Sequence, residues 1–406
     1  MTPARANQSP RDELRLLATL GALLAFASIS TDLFLPALPA MAKDLGAKEG
    51  ELEFVVSTYL LGFGFGQLFW GPVSDRFGRR RPILIGLLVF ILGSAGCALS
   101  TTPTTIILWR IIQAMGASAG VALARAMVRD IYERDQAARV LSILMTVMAV
   151  APLLGPIAGA QILAYINWQA IFWTLSAIGL ATILAVLRLP ESLSPERRST
   201  GTPLDDFKGY AAHFQNPVLL SYSAAIGLFY VGNFAVIAGA PFAYINYYGL
   251  LPQTYALIFA SVILGLMAAN LLNAVLVRIW DSDLVLLIGG FSAALIGLCF
   301  AVVATTDLGG LTALIMVNFL FISMNGLILA NAISGALSRI VSGTGGASAI
   351  VGAIQYGGGM IGAATVGWLA DGTPGPLGIV SAVGGCGCLL FTLLALWRVR
   401  PQAGIF

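Results

Sequence analysis

Charge is what this sequence has least of. Only 10% of its 406 residues are Asp, Glu, Lys or Arg, against 58% hydrophobic, and the mean hydropathy is +0.88. That excludes an ordinary soluble domain. There is one histidine, His213, in a polar stretch far from other candidate chemistry, so no nucleophile and base pair is available for a hydrolase. The four cysteines, Cys97, Cys299, Cys386 and Cys388, lie in or beside apolar runs without metal-site spacing and read as packing residues. No phosphate-cradling G-x-x-x-x-G-K-[ST] loop is present, which excludes an ATP-driven pump of that type. No contiguous basic patch with interleaved aromatics suggests a nucleic-acid surface.

Long apolar runs are what the sequence does have. A bilayer core of about 30 Å takes roughly 20 residues per spanning helix. Runs of that order lie near 15–39, 53–73, 82–99, 104–124, 139–163 and 169–188, then near 217–245, 254–277, 284–304, 309–337, 346–370 and 376–397. The spacing predicts an all-α integral membrane protein of twelve transmembrane helices. The first run is too long, and lacks a small-residue cleavage site, for a removed signal peptide, so a retained first helix is expected.

Orientation follows from Lys and Arg, which collect in cytoplasmic loops. With the N-terminus inside, nineteen of the 22 basic residues fall in inner segments, and the outer loops keep Lys43 and Lys48. The remaining one, Arg110, is within the fourth run. Cytoplasmic termini are expected.

The longest polar interruption, "PESLSPERRSTGTPLDDFKGYAAHFQN" at 190–216, reads as a linker. It divides the chain into an N-terminal six-helix bundle, 1–188, a cytoplasmic linker, 189–216, and a C-terminal six-helix bundle, 217–406. Transporters made of two bundles with inverted three-helix repeats are organised this way.

The densest charge sits between the second and third runs, in "GPVSDRFGRRRP" at 71–82. Topology accounts for some of its arginines, but not for the order of residues. The stretch resembles, position by position, the G-x-x-x-D-R-x-G-R-R-R loop signature of the major facilitator superfamily. "STDLFLPALP" at 30–39, "WRIIQAMGASAG" at 109–120 and "VMAVAPLLGPIAGA" at 147–160 resemble the first, fourth and fifth helix signatures of its twelve-span drug:proton antiporters, especially the bicyclomycin and chloramphenicol resistance group. "RDIY" at 129–132 and "NWQAIFW" at 167–173 are also similar to that group. Ala160 departs from it where a second glycine is common.

The resemblance implies the major facilitator fold. It also implies a cytoplasmic latch, built on Gly71, Asp75, Arg76, Gly78, Arg79 and Arg80, that holds the two bundles together in the outward-open state. In that latch Asp75 would offer its charge to the N-terminal end of the eleventh helix, "GTGGASAI" at 343–350, where the macrodipole favours an anion. Gly155, Pro156 and Gly159 would bend the fifth helix and admit a close neighbour. The other reading of this motif is the ordinary tolerance of membrane helices for proline and glycine.

Inside the spans only two formal charges remain, Asp32 and Arg110, and intramembrane ions mark functional sites. Both are expected at comparable depth, so a direct pair is open. Asp32 is the expected proton carrier, with Arg110 tuning the exchange; the alternative is a static ion pair that fixes helix packing. Candidate substrate contacts are Tyr59 and Gln67 on the second helix, Met115 on the fourth, Met145 and Met148 on the fifth, and Tyr230, Asn233 and Phe234 on the seventh. Asn318, Phe321, Asn325 and Gln355 are weaker, and every one of these side chains serves equally as core packing.

The expectation is a non-enzyme without metal or cofactor, driven by the proton gradient. It would be a monomer in the lipid bilayer of a bacterial inner membrane, exporting small amphipathic compounds by alternating access. A proton symporter importing a metabolite is the rival transporter reading, and a non-transporting receptor or scaffold is the rival from another class.

Overall fold

The computed structural model of the chain describes residues 10–198, 214–338, 340 and 344–399. Nearly all of these are helical, as a chain in hydrocarbon requires, because only a helix satisfies each backbone N–H and C=O within its own segment. The order is α1 (Pro10–Asp32), a 3₁₀ turn (Leu35–Ala37), α2 (Leu38–Asp44), α3 (Phe54–Phe77), α4 (Arg80–Ala98), α5 (Pro103–Ile131), α6 (Arg134–Tyr165) and α7 (Trp168–Val186). After a short 3₁₀ turn (Pro195–Arg197) come α8 (Pro217–Pro241), a π turn (Phe242–Tyr247), α9 (Pro252–Leu276), α10 (Ser282–Thr306), α11 (Gly310–Ser323), α12 (Asn325–Leu337), α13 (Thr344–Trp368) and α14 (Gly375–Val399). Among the described residues there are 12 spans long and apolar enough to cross a membrane.

Each expected run is present, but three are not single helices. The first continues to Asp44, well past the expected end near residue 39, and is broken at Asp32. Pro36 has no N–H to return to the Asp32 carbonyl, and the Ala37 N–H turns to Phe34 O at 2.8 Å. The seventh run ends in the π turn, and the tenth divides at Met324 into α11 and α12.

Helices α1 to α7 pack chiefly on one another, as do α8 to α14, and the seam between the two sets is carried mainly by α3 against α13 and α6 against α9. The expected linker falls mostly outside the described residues, as do His213 and the start of "GTGGASAI".

The two ends of the molecule differ. One carries the Arg76 to Arg81 cluster and is called here the arginine-rich end; the other carries Lys43 and Lys48. Contacts across the seam are close toward the arginine-poor end. Phe63 meets Tyr356 at 5.3 Å between ring centroids, and a Cβ on Gly359 would stand 3.2 Å from Leu60 Cδ1.

Candidate functional site: a seam cavity beside a buried arginine

Asp32 closes α1 at the break, where it is 7% exposed. The close approach of α6 holds the break in place. A Cβ on Gly155 would lie 3.2 Å from Asp32 Cβ, and one on Gly159 only 1.7 Å from the Leu33 carbonyl oxygen. Glycine at 159 is therefore a condition of this helix contact. Pro152 and Pro156 lie inside the same helix.

Asp32 borders a cavity of about 210 Å³ that both halves line. From the first half come Thr31, Tyr59, Phe63, Met148 and Pro152; from the second come Tyr230, Asn233, Phe234, Tyr244, Tyr255, Asn318, Asn325 and Tyr356. The walls are mainly aromatic and aliphatic, with a few converging polar groups, which is the usual constitution of a small-molecule site. Asn318 donates to the Tyr244 hydroxyl at 2.9 Å. Among the described residues, Tyr255 Oη, Asn318 Oδ1 and Asn325 Oδ1 are buried without a hydrogen-bond partner. Such atoms are costly unless something else enters to satisfy them.

Of the expected contacts, Tyr59, Met148, Tyr230, Asn233, Phe234, Asn318 and Asn325 line this cavity. The others do not. Met145 is exposed on the outside of α6, and Phe321 stacks on Phe229 at 5.4 Å in the core of the second half. Met115 spends its backbone carbonyl on the Trp70 indole N–H at 2.8 Å, in the packing of α3 on α5. Gln67 lies half-buried away from the cavity, and Gln355 meets the side chain of Tyr230 without lining the cavity itself. Tyr244, Tyr255 and Tyr356 were not expected. Their helices are apolar all round, so hydrophobic periodicity does not separate a cavity face from a lipid face.

Arg110 is fully buried, and no ion pair joins it to Asp32 among the described residues. Its guanidinium lies between two rings, 4.2 Å from the centroids of both Phe34 and Tyr59. It donates to Ser30 O at 3.0 Å, to Gln113 Oε1 at 2.6 Å and to Val55 O at 3.4 Å, while Nη2 has no partner. Gln113 in turn donates to Ser94 Oγ at 2.7 Å. The direct pair left open by the sequence is thus replaced by stacking, which a weakly hydrated, planar cation supports. The charge reaches the cavity through Tyr59, whose hydroxyl shares a short hydrogen bond with Ser30.

The loop at 71–82 is knitted into its own half. Arg79 binds Asp75 Oδ1 at 2.5 Å, Asp130 Oδ2 at 2.8 Å and Ser74 Oγ at 2.7 Å. Glu191 accepts from the backbone N–H groups of Arg79, at 2.7 Å, and Arg80, at 3.1 Å, so its carboxylate caps α4 where the macrodipole favours an anion. Gly78 has φ of +86°, a conformation that favours glycine, and a Cβ there would stand 2.6 Å from Glu191 Oε2 and displace that carboxylate. Here the Asp75 carboxylate is held by Arg79, and the start of the helix expected to meet it, at 343, lies outside the described residues; the helix end met by a carboxylate among the described residues of this loop is α4, served by Glu191. No sequence signal marked Glu191, which lies over a hundred positions away.

The Major Facilitator Superfamily family model matches residues 19–345. The chain belongs to that superfamily. It is 32% identical over 349 residues, 85% of this chain and 87% of the other, to YdgK, an uncharacterized MFS-type transporter of Bacillus subtilis. It is 29% identical over 387 residues to a bicyclomycin resistance protein homolog of Haemophilus influenzae, 95% of this chain and 96% of that protein. The crystal structure of a D-xylose-proton symporter superposes with a TM-score of 0.75 over 98% of this chain and 99% of that one, at 18% identity. That likeness carries the fold. In a superfamily built for carriage across membranes, a cavity that both halves share and one carboxylate borders is the natural place for cargo and coupling ion.

Proposed function

We propose that this chain is a proton-coupled exporter of small amphipathic compounds in a bacterial inner membrane, with both termini cytoplasmic and the arginine-rich end facing the cytoplasm. The observation that carries the reading is Asp32, an acid without an ion-pair partner among the described residues, at a helix break bordering an aromatic cavity lined by both halves. A carboxylate so placed trades a proton for a cationic or hydrogen-bonding cargo at the same site. The meeting of the Gly50 and Gly367 backbones across the seam at the arginine-poor end supports an inward-facing arrangement. The relative with a bicyclomycin resistance name, aligned over nearly the whole chain, supports drugs as the cargo class.

The test is growth of cells expressing the chain against a panel of antibiotics that includes bicyclomycin and chloramphenicol. The reading expects protection against at least one compound, lost in Asp32→Asn at equal expression. Protection that survives Asp32→Asn contradicts it. Uptake of a metabolite driven by the proton gradient, with no protection, would instead establish the symporter reading.

A further inference from the structure

A second cavity, of about 650 Å³, lies between the halves at the arginine-poor end. Lys43, Lys48, Glu49 and Glu53 line it from the first half, and Asn246 and Tyr247 from the π turn of the second. Glu53 differs from the charged residues near it, Lys48, Glu49 and Glu51, in being only 4% exposed, although it precedes the first residue of α3. What covers it is the other half. A Cβ on Gly367 of α13 would stand 3.0 Å from Glu53 Cβ and 2.6 Å from the Gly50 carbonyl oxygen, and one on Gly50 (φ +79°) would stand 1.8 Å from Gly367 O. Two backbones thus meet at glycines and bury the acid between them.

We propose that Glu53 is a second proton-binding site, whose protonation lets the arginine-poor end of the seam close and whose ionisation opens it. Glu53 Oε2 is buried without a partner among the described residues, and an ionised carboxylate buried without a cation is strongly disfavoured. Of the charged groups around it, Glu49 is of like sign, and Lys43 and Lys48 line the cavity with their side chains exposed. The π turn presents Asn246 and Tyr247, and α13 presents Gly367 with no charge. Asp371, just beyond α13, is held by the Thr373 N–H and hydroxyl at 2.9 and 2.7 Å. Burial first, and the Glu49 charge after it, push the Glu53 carboxyl up from 4.5 to about 7. Parting the halves here would withdraw α13 and return the carboxyl to water and its ordinary range. Opening then releases a proton between about 4.5 and about 7, and the open-to-closed ratio rises roughly tenfold per pH unit in that window.

The inference rests on alternating access, part of the function proposed above, and is independent of the drug. The full chain, with exposed Cys299 and Cys386 replaced by Ser, is spin-labelled at Lys48→Cys and Leu308→Cys, one on each half, and label distances are measured across a pH series without substrate. The long-distance population should grow with pH, by tenfold or more across the window. Glu53→Gln should remain at the short distance throughout, and Glu53→Asp should keep a pH dependence, which separates titration from damage to the fold. Asp32→Asn should keep it too. A wild-type distance that ignores pH, a Glu53→Gln series that follows wild type, or a dependence lost only in Asp32→Asn overturns the proposal. Failure of drug efflux with this pattern intact would count against the cargo alone.

Discussion

Arg110 is the side chain whose surroundings are most specific. Two rings, two carbonyls and an amide oxygen are arranged around one fully buried guanidinium. Arg110→Ala leaves Gln113 Oε1 and the Ser30 carbonyl buried without this donor. It should cost about 1–3 kcal/mol for each group stranded, read as a lower thermal midpoint in detergent. Arg110→Lys should keep the charge and still lose stability, because an ammonium cannot stack between Phe34 and Tyr59. An unchanged midpoint in both variants contradicts this account of the site. That Arg110 and Asp32 are special was legible in the sequence, since a charge in an apolar run is too costly in hydrocarbon to persist without a role. Their separation was not, because depth along two helices says nothing about which faces meet. Glu53 was hidden for the opposite reason: its charge placed it in a loop, and only the approach of α13 buries it.

Helix α6 lies against the break after Asp32 through two glycines whose tolerances differ. Gly159→Ala would drive a methyl into Leu33 O, where the ideal Cβ is 1.7 Å away, whereas Gly155→Ala faces Asp32 Cβ at 3.2 Å, a contact a small shift relieves. Gly159→Ala should therefore cut transport at least tenfold or admit a proton leak, and Gly155→Ala should be milder, with Gly155→Val intermediate or worse. Equal wild-type transport in Gly159→Ala and Gly155→Ala, with a tight proton gradient, would show that this contact is mere packing. At the loop, Asp75→Ala removes one of two carboxylates on Arg79, and it should slow transport while leaving binding of the same compound within a few-fold, because the site is remote from the cavity and acts on populations. Unchanged transport rates would remove the loop from the mechanism. The spans themselves were legible to within a few residues, since the bilayer imposes length and composition on each. The breaks at Asp32 and Met324 and the π turn at 242–247 were not. Pro36 and Pro39 in "LFLPALP" did signal the first, but membrane helices carry prolines without breaking often enough that the signal does not decide.

On the scale of the whole molecule, the structure divides chemistry from motion. Asp32 and the groups proposed to hold cargo lie at the middle of the seam, the Arg79 network lies wholly in one half at one end, and Glu53 lies under the other half at the opposite end. Coupling then means that a proton and a cargo molecule bias the same rearrangement of the halves, and each must alter the other's affinity by the same factor. The most direct test uses one compound identified by the growth panel, bound to purified protein in detergent across a pH series, for wild type and for Asp32→Asn. The account predicts that wild-type affinity falls as pH is lowered, while Asp32→Asn binds with a flattened pH dependence. Parallel curves for the two proteins would mean that another group exchanges the proton, and would contradict the assignment of coupling to Asp32.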